Sequence, residues 1–213
     1  MKQRGFTLVE IAIVLVIIGF ILGGIIKSQS LIGSAKAKDV IAIIEDLRIA
    51  TVSFKQRYNY LPGDFPINVG ETPIPNVNPP GGNGNGSIDG AINAQGQAVA
   101  NSEVANVPWH LYNAGFISKI DPTDVQRRLK TVYGAVHIAS AATVNTTLVP
   151  NFTVVNPAVR NAIVFFNLPC DIVTEVDNKI DNGVSENVPA GAGGRAFGTA
   201  CVSNVVNWYA VGL

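Results

Sequence analysis

The 213-residue chain is short of the side chains on which metal and catalytic centres are built, with two histidines and two cysteines in all. So few exclude a four-cysteine cluster, and His110 and His137 lack the close spacing of a metal-ligating pair, so both read as structural histidines. Charge is scarce as well: 15 Lys and Arg balance 15 Asp and Glu, which leaves no basic surplus to announce a nucleic-acid partner. No G-x-S-x-G elbow, Walker loop or H-E-x-x-H pair occurs. Gly191-Ala192-Gly193-Gly194-Arg195-Ala196 has the letters of a dinucleotide fingerprint. It lacks the preceding strand and following helix of a parallel unit that such a motif needs, and is read as a loop. Asp171, Asp177 and Asp181 read as a solvated helix face. No enzymatic role is therefore expected of this sequence.

What the sequence does contain is one long apolar run. Phe6 to Ile26 is 21 residues with a single charge, Glu10. At the helical rise that run spans roughly 31 Å, the thickness of a bilayer's hydrocarbon core. The preceding Met1-Lys2-Gln3-Arg4-Gly5 carries two positive charges and no negative one. The positive-inside bias keeps this end in the cytoplasm and puts everything beyond Lys27 on the far side. Ala35-Lys36-Ala37 offers an A-x-A-like cleavage site, but a secretory signal has a shorter hydrophobic region of about 7–15 residues.

Lys2-Gln3-Arg4-Gly5 followed by Phe6-Thr7-Leu8-Val9-Glu10 resembles the class III leader of type IV prepilins and type II secretion pseudopilins. The resemblance is close over the first 60 residues or so and loose beyond them. It implies that a prepilin peptidase cuts between Gly5 and Phe6, that Phe6 becomes the N-methylated terminus, and that Glu10 serves assembly by pairing with the Phe6 amine of another subunit. Its partners would be that peptidase, other pilin-like subunits in a helical filament and an inner-membrane assembly platform. The sequence departs from many pilins where the span ends: Lys27 stands in place of a proline, so any bend falls to Gly19, Gly23 and Gly24.

The second part of the helix is amphipathic. Val40, Ile44, Leu47, Thr51, Phe54 and Tyr58 recur at steps of four and three and share one face. No proline interrupts Phe6 to Tyr58, so one continuous helix of about 80 Å is expected. Residues 27–58 carry six Lys and Arg against three Asp and Glu, whereas residues 59–213 carry seven against eleven, a positive stem under a mildly acidic head. Asn59 and the turn signal Leu61-Pro62-Gly63-Asp64 end the helix. The expected divisions are a leader at 1–5, a membrane or filament-core helix at 6–26, a stem at 27–60 and a globular periplasmic head at 61–213.

In the head, residues 70–96 hold seven Gly, four Pro and five Asn and read as a long loop. Within it Asn83, Asn85, Ser87 and Asp89 alternate with small residues in faint imitation of a calcium loop. Asn85 and Asp89, with Asp177 and Asp181, are the candidate calcium ligands, although no distal Glu follows at the usual spacing. A helix is expected within 102–114, capped by Ser102 or Asn106, with Pro108 favouring the later start. Strands are expected at Lys130–Ala139, Ala162–Asn167 and Val202–Val211, with a weaker candidate at Thr147–Val155, and Pro169 is expected to open a helix ending near Asn182-Gly183. This is an α+β architecture, a long helix packed on a small antiparallel sheet. Cys170 and Cys201 both fall beyond the span, where oxidation is permitted, and their even count predicts a disulfide worth about 3.7 kcal/mol by loop closure. Pilins often staple the same part of the head. A membrane-anchored or filament-tip module that recognises a surface ligand, sugar or DNA is the second reading of the whole.

Overall fold

The structure, a computed structural model, describes residues 7–68, 71, 73–77, 81–118, 120, 129, 131–148, 158–180, 196–198 and 201–213. Helix α1, Leu8–Tyr58, is unbroken through Gly19, Gly23 and Gly24 and at 51 residues is about 77 Å long. It stops at Asn59, whose backbone is left-handed with φ 63° and whose N–H closes on the Lys55 carbonyl. That is the helix-ending role the side chain favours. The apolar stripe of the stem packs as its spacing requires: Val40, Ile44, Leu47, Thr51 and Phe54 are buried, with Ala37 and Ala50 beside them.

The head closes around this stripe. Helix α2, Glu103–Asn113, lays Val104, Val107 and Leu111 into the core. Strand β1, Val136–Ser140, leads into a short helix α3, Ala141–Thr143, and a π-helical turn, Val144–Leu148. Strand β2, Asn161–Pro169, runs into helix α4, Cys170–Ile180. Two short strands, β3 (Ala196–Gly198) and β4 (Cys201–Val202), precede the last strand β5, Val205–Gly212. All pairings are antiparallel, in the order β1-β2-β5-β3, with β4 also on β5. Among the described residues the sheet has five strands, of which β1, β2 and β5 are the long ones. Its central strands are apolar on both faces, and Ile163, Val164, Phe165, Tyr209, Ala210 and Val211 are all buried. Arg48 ties the stem to this sheet by donating to the Gly212 carbonyl at 2.7 Å, while its other nitrogen meets Glu45 at 2.8 Å.

Several expected boundaries move. The apolar run from Lys130 pairs as a strand only from Val136. Before it Thr131 turns back to donate its hydroxyl to the Gly134 carbonyl at 2.6 Å, with Gly134 at φ 123°. Ser102, not Asn106, caps α2, accepting from the Ala105 N–H. Pro108 therefore sits inside the helix, and the lost backbone bond is offset by burying its flanking Val104, Val107 and Leu111. Pro169 does not open α4 but closes β2, opposite Val205 and beyond the last β1 partner at Phe165, where a missing N–H costs the ladder least. Ser203 and Asn204, at φ 52° and 65°, form a two-residue hairpin turn that splits the run from Val202 into β4 and β5. The weaker strand candidate begins instead in the π-helical turn, and its residues 149–155 lie outside the described residues, as do Asn182 and Gly183.

Candidate functional site

The amino-terminal end of α1 is the first site to build. Thr7 is the N-cap, with extended backbone, and Glu10 is the third residue of the helix. Glu10 Oε2 accepts from both the Thr7 N–H and the Thr7 hydroxyl at 2.8 Å, and the Thr7 Oγ1 accepts from the Glu10 N–H at 3.3 Å. This is a reciprocal capping box, which satisfies the exposed donors of the first turn and places a carboxylate against the positive end of the helix dipole. Leu8–Ile25 has a mean hydropathy of 2.8 with none of it buried, so eighteen residues of apolar helix stand uncovered. Length and composition suffice to cross a membrane. Gly5 and Phe6, the expected cleavage and methylation positions, lie outside the described residues.

A second polar centre joins stem to head. The turn after α1 brings Gly63 and Asp64 against α2, so closely that a Cβ on Gly63 would collide with the Glu103 carbonyl. The Gly63 N–H donates to His110 Nδ1 at 2.9 Å, which fixes the neutral ring with its proton on Nε2. Burial pulls the His110 pKa down to about 4. Buried Asp64 accepts from the N–H groups of Gly84, Asn85 and Gly86 at 2.7, 3.1 and 2.8 Å. Glu103 accepts from Asn83 and Asp89 at 2.8 and 2.7 Å. Burial raises the Glu103 pKa; the two N–H bonds oppose the shift, and the charges of Asp64 and Asp89 add to it. The loop at 81–90 is thus folded around two carboxylates that sequence reading overlooked. The signals available were an Asp directly after the Pro-Gly turn and a Glu directly after a cap serine.

This geometry bears on the calcium candidates. Asp89 accepts from Asn85 Nδ2 at 3.1 Å and from Ser87 Oγ at 3.0 Å, and the loop turns amide N–H groups, not carbonyls, toward its neighbouring carboxylates. A calcium cage would gather carboxylate, carbonyl and water oxygens around one point. Asp177, read from sequence as part of a solvated face, is instead fully buried on α4 and accepts from the Tyr209 hydroxyl at 3.4 Å. Asp181 lies outside the described residues. Among the described residues no group of three or more His, Cys, Asp or Glu is placed to hold a metal ion. His137 Nε2 meets the Gly96 carbonyl at 2.9 Å, whereas His110 Nδ1 is bonded to Gly63.

Cys170 and Cys201 are joined, with Cα atoms 6.0 Å apart and a sequence separation of 31. The bridge ties the first residue of α4 to β4. From α4, Glu175 reaches Lys179 at 3.0 Å and the Ser34 side chain on the stem, whose hydrogen bond, ahead of the one from Lys179, lowers its pKa.

The family model of the prokaryotic N-terminal methylation motif matches residues 1–26. The protein bears that motif. It is the class III leader of type IV pilins and pseudopilins. The methylation motif spans all of the uncovered apolar helix Leu8–Ile25 and leaves the head unassigned. No curated protein matches the sequence, and no solved structure matches it. The motif implies processing by a prepilin peptidase and assembly with other pilin subunits, and it points to a structural subunit rather than an enzyme.

Proposed function

We propose that this protein is a pilin-like subunit of a type II secretion pseudopilus or a type IV pilus. A prepilin peptidase cleaves it between Gly5 and Phe6 and methylates the Phe6 amine. Before assembly it is a single-pass inner-membrane protein with a cytoplasmic amino terminus and a periplasmic head. An assembly platform in that membrane then moves it into a filament of like subunits.

One observation carries this reading. The methylation motif opens an apolar helix that is wholly uncovered and continues without a break into a stem whose next face is buried by the head. These eighteen exposed residues, apolar but for Glu10, have to be covered, first by lipid and then by the corresponding helices of other subunits. Glu10 directs that second step: an ionised acid in an apolar core costs several kcal/mol unless an opposite charge meets it, and the Phe6 amine of an adjoining subunit is the partner.

Mass spectrometry of the membrane or filament form should find an N-methylated Phe6 as the first residue. An intact Met1, or a terminus near Lys38, refutes the reading. In cells expressing both forms, Glu10→Val should insert as well as the wild type yet be depleted from filaments. Equal incorporation would reduce Glu10 to a peptidase-recognition residue.

A further inference from the structure

The loop at 81–90 contains two consecutive Asn-Gly pairs, Asn83-Gly84 and Asn85-Gly86. Asparagine followed by glycine is chemically labile. The glycine's backbone nitrogen, unshielded by a Cβ, loses its proton and attacks the asparagine Cγ. The bond from Cγ to the amide Nδ2 breaks, ammonia leaves, and a five-membered succinimide forms. Water then opens that ring to aspartate or to isoaspartate, and the latter adds a methylene to the main chain. The reaction needs only the loop itself and solvent water.

Both attacking nitrogens are held by one buried carboxylate. Gly84 N–H donates to Asp64 Oδ1 at 2.7 Å and Gly86 N–H to Asp64 Oδ2 at 2.8 Å. We infer that Asn83 and Asn85 form a latent modification site, and that Asp64 is the positioning residue that keeps it silent. Removing either glycine proton would place a nitrogen anion beside a carboxylate out of bulk water, where like charges repel strongly. The attack also requires each glycine peptide to swing its nitrogen toward the preceding Cγ. Gly84 and Gly86 are instead fixed at φ 75° and 82° in a backbone nest around the anion. The rest of the loop resists that swing. Asn161 binds it from the sheet, accepting from Ile88 N–H at 2.8 Å and donating to the Gly86 carbonyl at 3.1 Å. The Asn85 side chain is occupied at both ends, by the Ser87 N–H at 2.6 Å and by Asp89 at 3.1 Å. Isoaspartate at either position would break the register in which Asp64 and Glu103 receive five amides.

The test is peptide mapping by mass spectrometry, reading amide-to-acid exchange at Asn83 and Asn85 after incubating the full-length protein in detergent at mildly alkaline pH. In the folded wild type both positions should convert at least about tenfold more slowly than in the same protein unfolded in urea, because bonds to a charged acceptor must break first. Asp64→Asn should lose most of that protection. Glu103→Gln, which loosens the other flank but leaves Gly84 and Gly86 on Asp64, should keep it. Three results overturn the inference: folded wild type converting as fast as the unfolded protein, Asp64→Asn converting more slowly because the carboxylate acts as a base, or both variants converting equally fast.

Discussion

Acidification should loosen the junction between stem and head through His110. In the fold its Nδ1 accepts from Gly63, its ring lies 6.0 Å from that of Phe54, and its pKa is about 4 against 6.5 for a free side chain. Between these values the unfolded protein binds a proton that the folded protein refuses, so stability rises with pH across this interval. The contribution is complete above pH 6.5 and is lost as the pH falls toward 4. At about pH 4.5 the linkage relation makes the loss about 2–3 kcal/mol. Glu103 acts with the opposite sign: its raised pKa means that burial of its charge costs stability as the pH rises, so the observed slope is shallower than that of His110 alone. The lowered pKa of Glu175 removes stability only as the pH falls through the carboxylate range, below most of this window. Both tryptophans, Trp109 and Trp208, belong to the head, so urea unfolding of the detergent-held protein can be followed by their fluorescence. Wild type should lose stability from about pH 7 to about pH 4.5, whereas His110→Gln, which retains a neutral acceptor, should not. A flat wild-type profile, or the same slope in His110→Gln, would refute this account.

Replacing Cys170 or Cys201 by Ser should cost the head about 3.7 kcal/mol by the chain-entropy model and expose it to protease while the span still inserts; unchanged protease resistance after reduction of the wild type would contradict this. Phe54→Ala should destabilise the head by about 3–5 kcal/mol, because the ring is fully buried against Tyr58, Phe65, His110 and Phe116. A change in urea midpoint equivalent to less than about 1 kcal/mol would show that the cluster relaxes around the gap.

The stem was legible in the sequence because its determinants are local. A period near 3.6, the absence of proline and an asparagine suited to a left-handed cap together define α1 and its buried face. The capping box is equally local, since Thr7 and Glu10 are one turn apart. The cysteine pair was accessible from compartment and count. The sheet boundaries were not, because strand length depends on where the partner runs out. Nothing near Pro169 reveals that β2 has lost its β1 partner beyond Phe165, and the turn at Thr131 and Gly134 consumes part of an apparently strand-forming run. Pro108 misled for a related reason: burial of its neighbours outweighed the cost of a missing backbone bond. The junction was hidden most completely. Asp64, the loop at 81–90, Glu103 and His110 are distant in sequence, and composition marks that loop as solvated when its amides in fact enclose carboxylates.

The capping box also bears on how, under the proposed function, one acid would serve both insertion and assembly. Hydrogen bonds from Thr7 to Glu10 Oε2 reduce the cost of placing that side chain at the edge of the apolar core, and the helix dipole favours the negative charge at this end. Neither interaction neutralises it. The carboxylate is held in one place, oriented and still charged, where an amine can meet it at little further ordering cost. A cut between Gly5 and Phe6 is compatible with this arrangement, because Thr7 then retains an ordinary backbone N–H and both donors survive. A cut one residue later would turn that N–H into the terminal amine itself, and the subunit would satisfy its own acid. In the proposed filament a cut after Gly5 therefore leaves both Thr7 donors on Glu10 and its charge open to a Phe6 amine.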